Sequence, residues 1–310
     1  MSEVNRSMVN GVINIYKVKG FTSHDVVAKL RGIVKQKKIG HTGTLDPDAT
    51  GVLPVCLGSA TKLCDMLTDK EKEYIAKVQL GVTTDTQDMT GNVISEKKAE
   101  VTELQVTEAI QSFVGKYEQI PPMYSALKVN GKKLYELARE GKVIERKARP
   151  VKILDIQILE MNLPRVRMTV ACSKGTYIRT LCHDIGQKLL CGGCMEELIR
   201  TKVSCFEIKD SLTLDEIRNI KNEGSLDEIL TSIDTMFSEC QKMVVGEKWE
   251  SLAYNGNPLH DKAVRLLDGE KVLDKSTVRV YDERGNFIGL YQYSADREEY
   301  SIVKMFYTKA

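Results

Sequence analysis

The chain has 310 residues, 42% hydrophobic and 28% charged, which is the composition of an ordinary globular protein and enough length for a large domain plus a small one. Its 45 basic and 43 acidic residues leave a net charge of +2, so overall charge announces no polyanionic partner and any such contact needs basic residues concentrated locally. No run of about eighteen apolar residues argues for a membrane span, and a polar start at Met1 to Asn10 with eight cysteines and no apolar leader reads as a cytoplasmic protein with reduced thiols.

Val12 to Val18 is a β-prone run with Lys17 near its end. Ser23 is expected to cap a helix whose apolar face is Val26, Val27, Leu30 and Val34. The basic end of that helix, Lys35, Lys37 and Lys38, complements its dipole or meets phosphates. Gly40-His41-Thr42-Gly43-Thr44-Leu45-Asp46-Pro47-Asp48-Ala49-Thr50-Gly51-Val52-Leu53 follows. Pro47 biases Asp46 toward extended geometry, and the glycines let a ligand approach the backbone closely. Such a stretch reads either as a surface turn or as a stiff loop carrying a nucleophile or general base. No Gly-Lys-Ser/Thr follows the glycines, so it is not a phosphate-binding P-loop.

Farther on, Glu73 to Val82 alternates as a strand with Tyr74, Ala76, Val78 and Leu80 on one face. By residue type alone Tyr74 reads as a core aromatic. Thr83 to Val93 reads as a polar turn, and Thr102-x-x-Gln105 as a capping box. From Lys132 to Lys152 eight basic residues face three acidic ones, a local balance of +5 that suits RNA phosphates, with Tyr124 and Tyr135 close by for unstacked bases. Val151 to Ile158 and Arg165 to Cys172 read as strands. Ser173 to Thr180 then turns into a helix with Ile178, Leu181, Cys182, Ile185 and Leu189 inward and Arg179 off that stripe. Cys191-Gly192-Gly193-Cys194 reads as a glycine-rich turn, since a metal or redox site needs a second ligand pair or a thioredoxin-like context. Capping boxes at Thr213-x-x-Glu216 and Ser225-x-x-Glu228 open short helices. From Val244 onward, turn clusters separate short alternating runs, as in a small β domain.

Three strings together carry a family resemblance: G-H-T-G-T-L-D-P-D-A-T-G-V-L-P from Gly40, S-K-G-T-Y-I-R ending at Arg179, and E-L-I-R-T from Glu197. They resemble the bacterial TruB family of tRNA pseudouridine synthases over nearly all of residues 11 to 240. The resemblance implies an α+β fold, with a mixed, largely antiparallel sheet flanked by helices over residues 1–240 and a small PUA-like β domain over 241–310. It implies a basic RNA-clamping insertion at about 122–150. The activity implied is conversion of a tRNA uridine to pseudouridine, at position 55 of the T loop, on a base extruded from its stack. Asp46 would act as covalent nucleophile or as the base that starts a glycal route, Arg179 would pair with it, and Tyr74 would stack on the base. His41, Lys17, Tyr177, Leu198, Lys132 and Lys133 would contact substrate, although relatives usually have lysine-proline where this chain has Lys17-Val18. No metal, cofactor, protein partner or guide RNA is called for, and a monomer is expected. The competing reading is a tRNA-binding module without chemistry.

Overall fold

The computed structural model describes residues 8–129, 131–269 and 271–308; the polar start at residues 1–7 lies outside them. The large sheet is built from β1 (Gly11–Lys17), β2 (Thr50–Leu57), β3 (Lys72–Leu80), β4 (Gly115–Gln119), β5 (Arg149–Asn162), β6 (Arg165–Cys172) and β7 (Gly193–Val203), in the spatial order β1-β2-β7-β3-β6-β5-β4. Neighbours are antiparallel except β2 and β7, which run parallel with Ile199 beside Thr50 and Arg200 beside Gly51. That one parallel junction lies where the Asp46 loop enters β2.

The alternation in β3 does what its sequence predicts. Tyr74, Ala76, Val78 and Leu80 are buried with Val166, Met168 and Val170 of β6. Over them packs the helix α3 (Ile178–Lys188) through Ile178, Leu181, Cys182 and Ile185, and the helix α2 (Glu103–Gln111) through Val106 and Ile110. β1 and β2 bury both faces, as their unbroken apolar runs require. Ile13, Ile15, Leu53 and Val55 meet the helix α1 (Ser23–Val34). Val12, Val52 and Cys56 belong to a second cluster that includes Phe237, Leu290 and Phe306.

That second cluster docks the small domain. Its sheet starts at Gln241 and runs, in spatial order, through Leu259–His260, Glu299–Met305, Phe287–Ser294, Thr277–Tyr281, Gln241–Val245 and Val264–Leu266. The curled six-stranded sheet has its own core of Met243, Val245, Val278, Val280, Ile288 and Tyr291, as a PUA-like β domain needs.

Three local expectations are corrected. Thr22, not Ser23, caps α1: its side chain accepts from Asp25 N–H while Asp25 reaches back to Thr22 N–H. The Ser225 box makes only a short 3-10 turn, Leu226–Ile229, with no side-chain cap, because Ser225 at φ −94, ψ 24 lacks the extended backbone that aims a capping oxygen at the first amides. Thr83 to Val93 is no plain turn, since Val82–Thr84 and Val93–Glu96 pair as a hairpin whose tip reaches Met195 in β7.

Candidate active site

The loop between Thr42 and Ala49 is fixed from below by three side chains. Gly51 has φ +104, and a Cβ there would overlap the Arg200 carbonyl across the parallel junction, so only glycine lets β2 and β7 approach. Ser23 accepts from Leu45 N–H at 2.9 Å. Lys17 is completely buried and its ammonium donates to the carbonyls of Phe21 at 2.7 Å, Pro47 at 3.0 Å and Val18 at 3.2 Å. All three donors are thus spent on backbone carbonyls, one of them next to Asp46 and two in the turn after β1, and burial pulls the Lys17 pKa down to about 8 against the opposing pull of Asp46 and Asp48. The expected contact of Lys17 with substrate is corrected: it braces the loop from inside and presents no atom to the cleft.

Arg200 is the largest fully buried side chain. Its guanidinium donates to the carbonyls of Val52 at 2.7 Å, Gly43 at 3.3 Å and Thr44 at 3.4 Å, and Tyr74 is its cross-strand neighbour. The loop is therefore tied to β7 at both ends.

Asp46 points into the cleft with 39% of its side chain exposed, and Arg179 meets it as a fork, Nε to Oδ2 at 3.0 Å and Nη2 to Oδ1 at 3.3 Å. Arg179 comes from the first turn of α3 and is buried; its other N–H groups bond Tyr124 O at 2.8 Å and Thr86 O at 3.2 Å, and Asp88 Oδ2 lies 3.6 Å away. Asp88 in turn accepts from Thr90 N–H at 3.0 Å and from the Thr86 hydroxyl at 2.7 Å. One guanidinium thus serves two carboxylates. Burial raises the Asp46 pKa above the ordinary carboxylate value; Arg179 pulls it down and the like charge of Asp88 pushes it further up.

Two connected chambers share Asp46, Arg179, Tyr124, Tyr135 and Leu198 in their walls. The outer one, about 710 Å³, runs past Asp88, Arg139 and the strand edge 195–199. The inner one, about 400 Å³, is lined by Tyr74, Tyr177, Ser125, Lys72 and Arg200. An apolar chamber with a few convergent polar groups suits a planar base. Tyr74 stays a neutral phenol there, because complete burial pushes its pKa up to about 12 although Arg200 opposes the shift.

The structure brings Asp46, Arg179, Tyr74, Tyr177 and Leu198 to one cleft. His41 is set back from it: its Nδ1 accepts from Gly43 N–H at 3.3 Å and its ring meets His24 edge-on, so it shapes the loop. Lys132 and Lys133 lie on the exposed outer face of the segment that roofs the cleft, Lys132 beside Glu140 at 3.6 Å and Lys133 over Tyr135. Neither lines a chamber. Asp88, Lys72 and Arg200 were missed. Arg200 was within reach, since it stands inside the third string; Asp88 carried no signal in a stretch that reads as a turn. Cys191 and Cys194 are both buried at the connection from α3 to β7, where Gly186 packs directly on Gly192 and Gly193.

Known proteins match this arrangement. The family model "TruB family pseudouridylate synthase (N terminal domain)" matches residues 31–178, and "tRNA pseudouridylate synthase B C-terminal domain" matches 179–238. A protein named tRNA pseudouridine synthase B from Lachnoclostridium phytofermentans is 53% identical over 96% of this chain and all of its own length. One of the same name from Clostridium tetani is 46% identical over 96% of this chain and 99% of its own. Among solved structures, a chain of a Cbf5-Nop10-Gar1 complex superposes with a TM-score of 0.71 at 27% identity, covering 96% of this chain and 85% of that one. Such similarity, end to end and through both family models, means that the chain belongs to the TruB family of tRNA pseudouridine synthases.

Proposed function

We propose that this isomerase of tRNA uridine acts at position 55 of the T loop, as a cytoplasmic monomer that needs neither protein partner nor guide RNA. Residues 1–240 form the catalytic domain in this reading, with a basic clamp at about 122–150, and 241–310 a PUA-like RNA-binding appendage. The observation that carries the site is the fork between Arg179 and Asp46 at the mouth of an inner chamber walled by Tyr74 and Leu198.

The reaction moves one bond. Uracil leaves C1′ through N1, turns, and returns through C5; the C5 proton is lost and N1 gains one, so atoms and charge balance with no added reactant. Asp46 either adds to C1′ or removes a ribose proton to open a glycal, and in both routes it must be ionised. Arg179 holds it so. Ordinary glycosidases set a second carboxylate across the bond to activate water or to protonate the leaving group. Here Asp48 lies on the wall of the outer chamber, neutralised by Lys19 at 3.7 Å, and no water is wanted. Tyr74 and Leu198 sandwich the turning base. Reaching it requires that the nucleotide be flipped out of its stack.

Tritium release from tRNA labelled at uridine C5, wild type beside Asp46→Asn, tests this. Release by wild type only, with both proteins binding tRNA, is the expected result. Binding without release by either would leave a tRNA-binding module. The similarity to a chain of a Cbf5-Nop10-Gar1 complex keeps a guided subunit as the second reading; turnover of bare tRNA by the purified chain excludes it.

A further inference from the structure

The inner chamber holds more positive charge than a neutral uridine needs. Lys72, at the start of β3, and Arg200, on β7, flank Gly43: a side chain built there would meet Arg200 Nη1 and Lys72 Cε, each at 3.8 Å. The Lys72 ammonium donates to Thr68 O at 2.9 Å and Lys70 O at 2.7 Å, which leaves its third N–H uncommitted. Among the described residues Arg200 bonds only backbone carbonyls. Among the described residues neither cation has a carboxylate of its own. Asp69 is taken by Lys174 at 2.9 Å, and Asp46 by Arg179. Arg200 is buried and Lys72 half-buried, and unneutralised cations so placed are costly, so their pairing calls for an anion that arrives only with substrate.

We propose that Lys72 and Arg200 make the inner chamber an anion site for the uracil ring while it is detached from ribose, Lys72 by direct contact and Arg200 as a positioning residue acting through Tyr74. This rests on the synthase reading and deepens it. When the N1–C1′ bond breaks, its electron pair stays with N1, and the charge spreads over N1, O2 and O4 until C5 attacks C1′. Fixed donors aimed at that charge stabilise the step without reorganising. Arg200 sits across the strand pair from Tyr74 on the wall of the same chamber, and its positive charge turns the phenolic proton away from itself and toward the ring.

The test is single-turnover pseudouridine formation with saturating tRNA, over pH 6 to 9.5. Wild-type turnover, absent in Asp46→Asn, establishes the synthase reading by itself; an inactive wild type would sink that reading and this inference together. Lys72→Met is expected to slow the step by about 10- to 100-fold with tRNA affinity and its salt dependence unchanged. Lys72 is held down to about 8 by burial, then by Arg200, with Lys174 adding to that and Asp69 opposing it. The wild-type rate should therefore fall above that pH, and Lys72→Arg, which cannot lose its proton, should stay fast. For Arg200, Arg200→Lys should slow the wild type yet add nothing in a Tyr74→Phe background, where a structural role alone would add fully. Three results would overturn the proposal. One is a Lys72→Met enzyme of wild-type rate, or one that loses affinity and salt slope but not rate, which would make Lys72 a phosphate contact. Another is a Lys72→Arg enzyme that keeps the decline above pH 8, which would assign the decline to Lys17. The third is full additivity of Arg200→Lys with Tyr74→Phe.

Discussion

The floor and the roof of the cleft are built on opposite principles. The floor consists of β1, β2, β3, β7 and α3, and three of its cations are buried: Lys17, Arg179 and Arg200 are each under one-tenth exposed and are tied to backbone carbonyls. The roof, from Tyr124 to Arg149, has strands of two residues, Lys128–Val129 and Lys132–Lys133, and one short helix, Leu134–Arg139. Its charges are exposed, and it is pinned by few bonds, among them Tyr135 N–H to Ser125 O, Leu134 N–H to Leu127 O and Arg179 to Tyr124 O. A buried charge fixes geometry because moving it costs its partners; an exposed charge binds an incoming polyanion because it has few partners to lose. Substitutions in the floor should therefore change rate or folding, and substitutions in the roof should change affinity.

The largest effect expected in the floor, beyond loss of Asp46 itself, is at Arg179. Arg179→Lys keeps the charge but not the fork that serves Asp46, Asp88, Thr86 and Tyr124 together, so single-turnover formation of product should drop by about 10²- to 10³-fold with tRNA binding retained. A drop confined to affinity would place Arg179 with the roof. Gly51→Ala comes next and acts on folding. Its φ of +104 and the Arg200 carbonyl leave no room for a methyl group, so thermal unfolding should shift by several degrees, corresponding to about 2 kcal/mol or more. An unchanged Tm would mean that the β2–β7 junction is looser than its hydrogen bonds require.

Asp88→Asn tests the electrostatics of the floor. Asp46 must be ionised to react, and the negative charge of Asp88 raises the pH at which it loses its proton. Removing that charge lowers the Asp46 pKa, so the acid limb of the rate profile should move to lower pH while the plateau changes less. A limb that moves up, or stays, would show that Asp88 acts on Asp46 mainly through Arg179's position rather than its own charge.

How much of this the sequence displayed follows from where the partners lie along the chain. Asp46 and Arg179 stand out because each sits in a contiguous string, whereas Tyr74 lies in none of them and is marked only by the strand alternation of β3, which with that of β6 places the core without help from tertiary contacts. Asp88 is not legible, because what gives it meaning is an arginine that approaches only when α3 packs on the sheet. Lys17 shows the converse failure. The resemblance implies a substrate contact for Lys17, and only burial reveals that its three donors face inward. Thr22 was readable, since Thr22-x-x-Asp25 is a capping pattern, and Ser23 drew attention from it by being the same kind of residue one position on. The serine's hydroxyl has a different task, holding Leu45 beside the nucleophile.

The smallest effects belong to the roof. Lys132 pairs only with Glu140, which Lys142 also contacts at 2.7 Å, and exposed pairs of this kind hold little stability. Lys132→Ala with Lys133→Ala should leave folding within about 0.5 kcal/mol. At saturating tRNA the rate should match wild type, because neither side chain reaches a chamber. What should change is binding: each phosphate contact removed flattens the dependence of log affinity on log salt by about 0.7 to 0.9. Measuring tRNA affinity for the double variant from low to moderate salt decides the matter. An unchanged slope would mean that these two lysines serve the fold of the roof and that RNA is gripped elsewhere, with Arg139, Arg146 and Lys147 the next cations to neutralise.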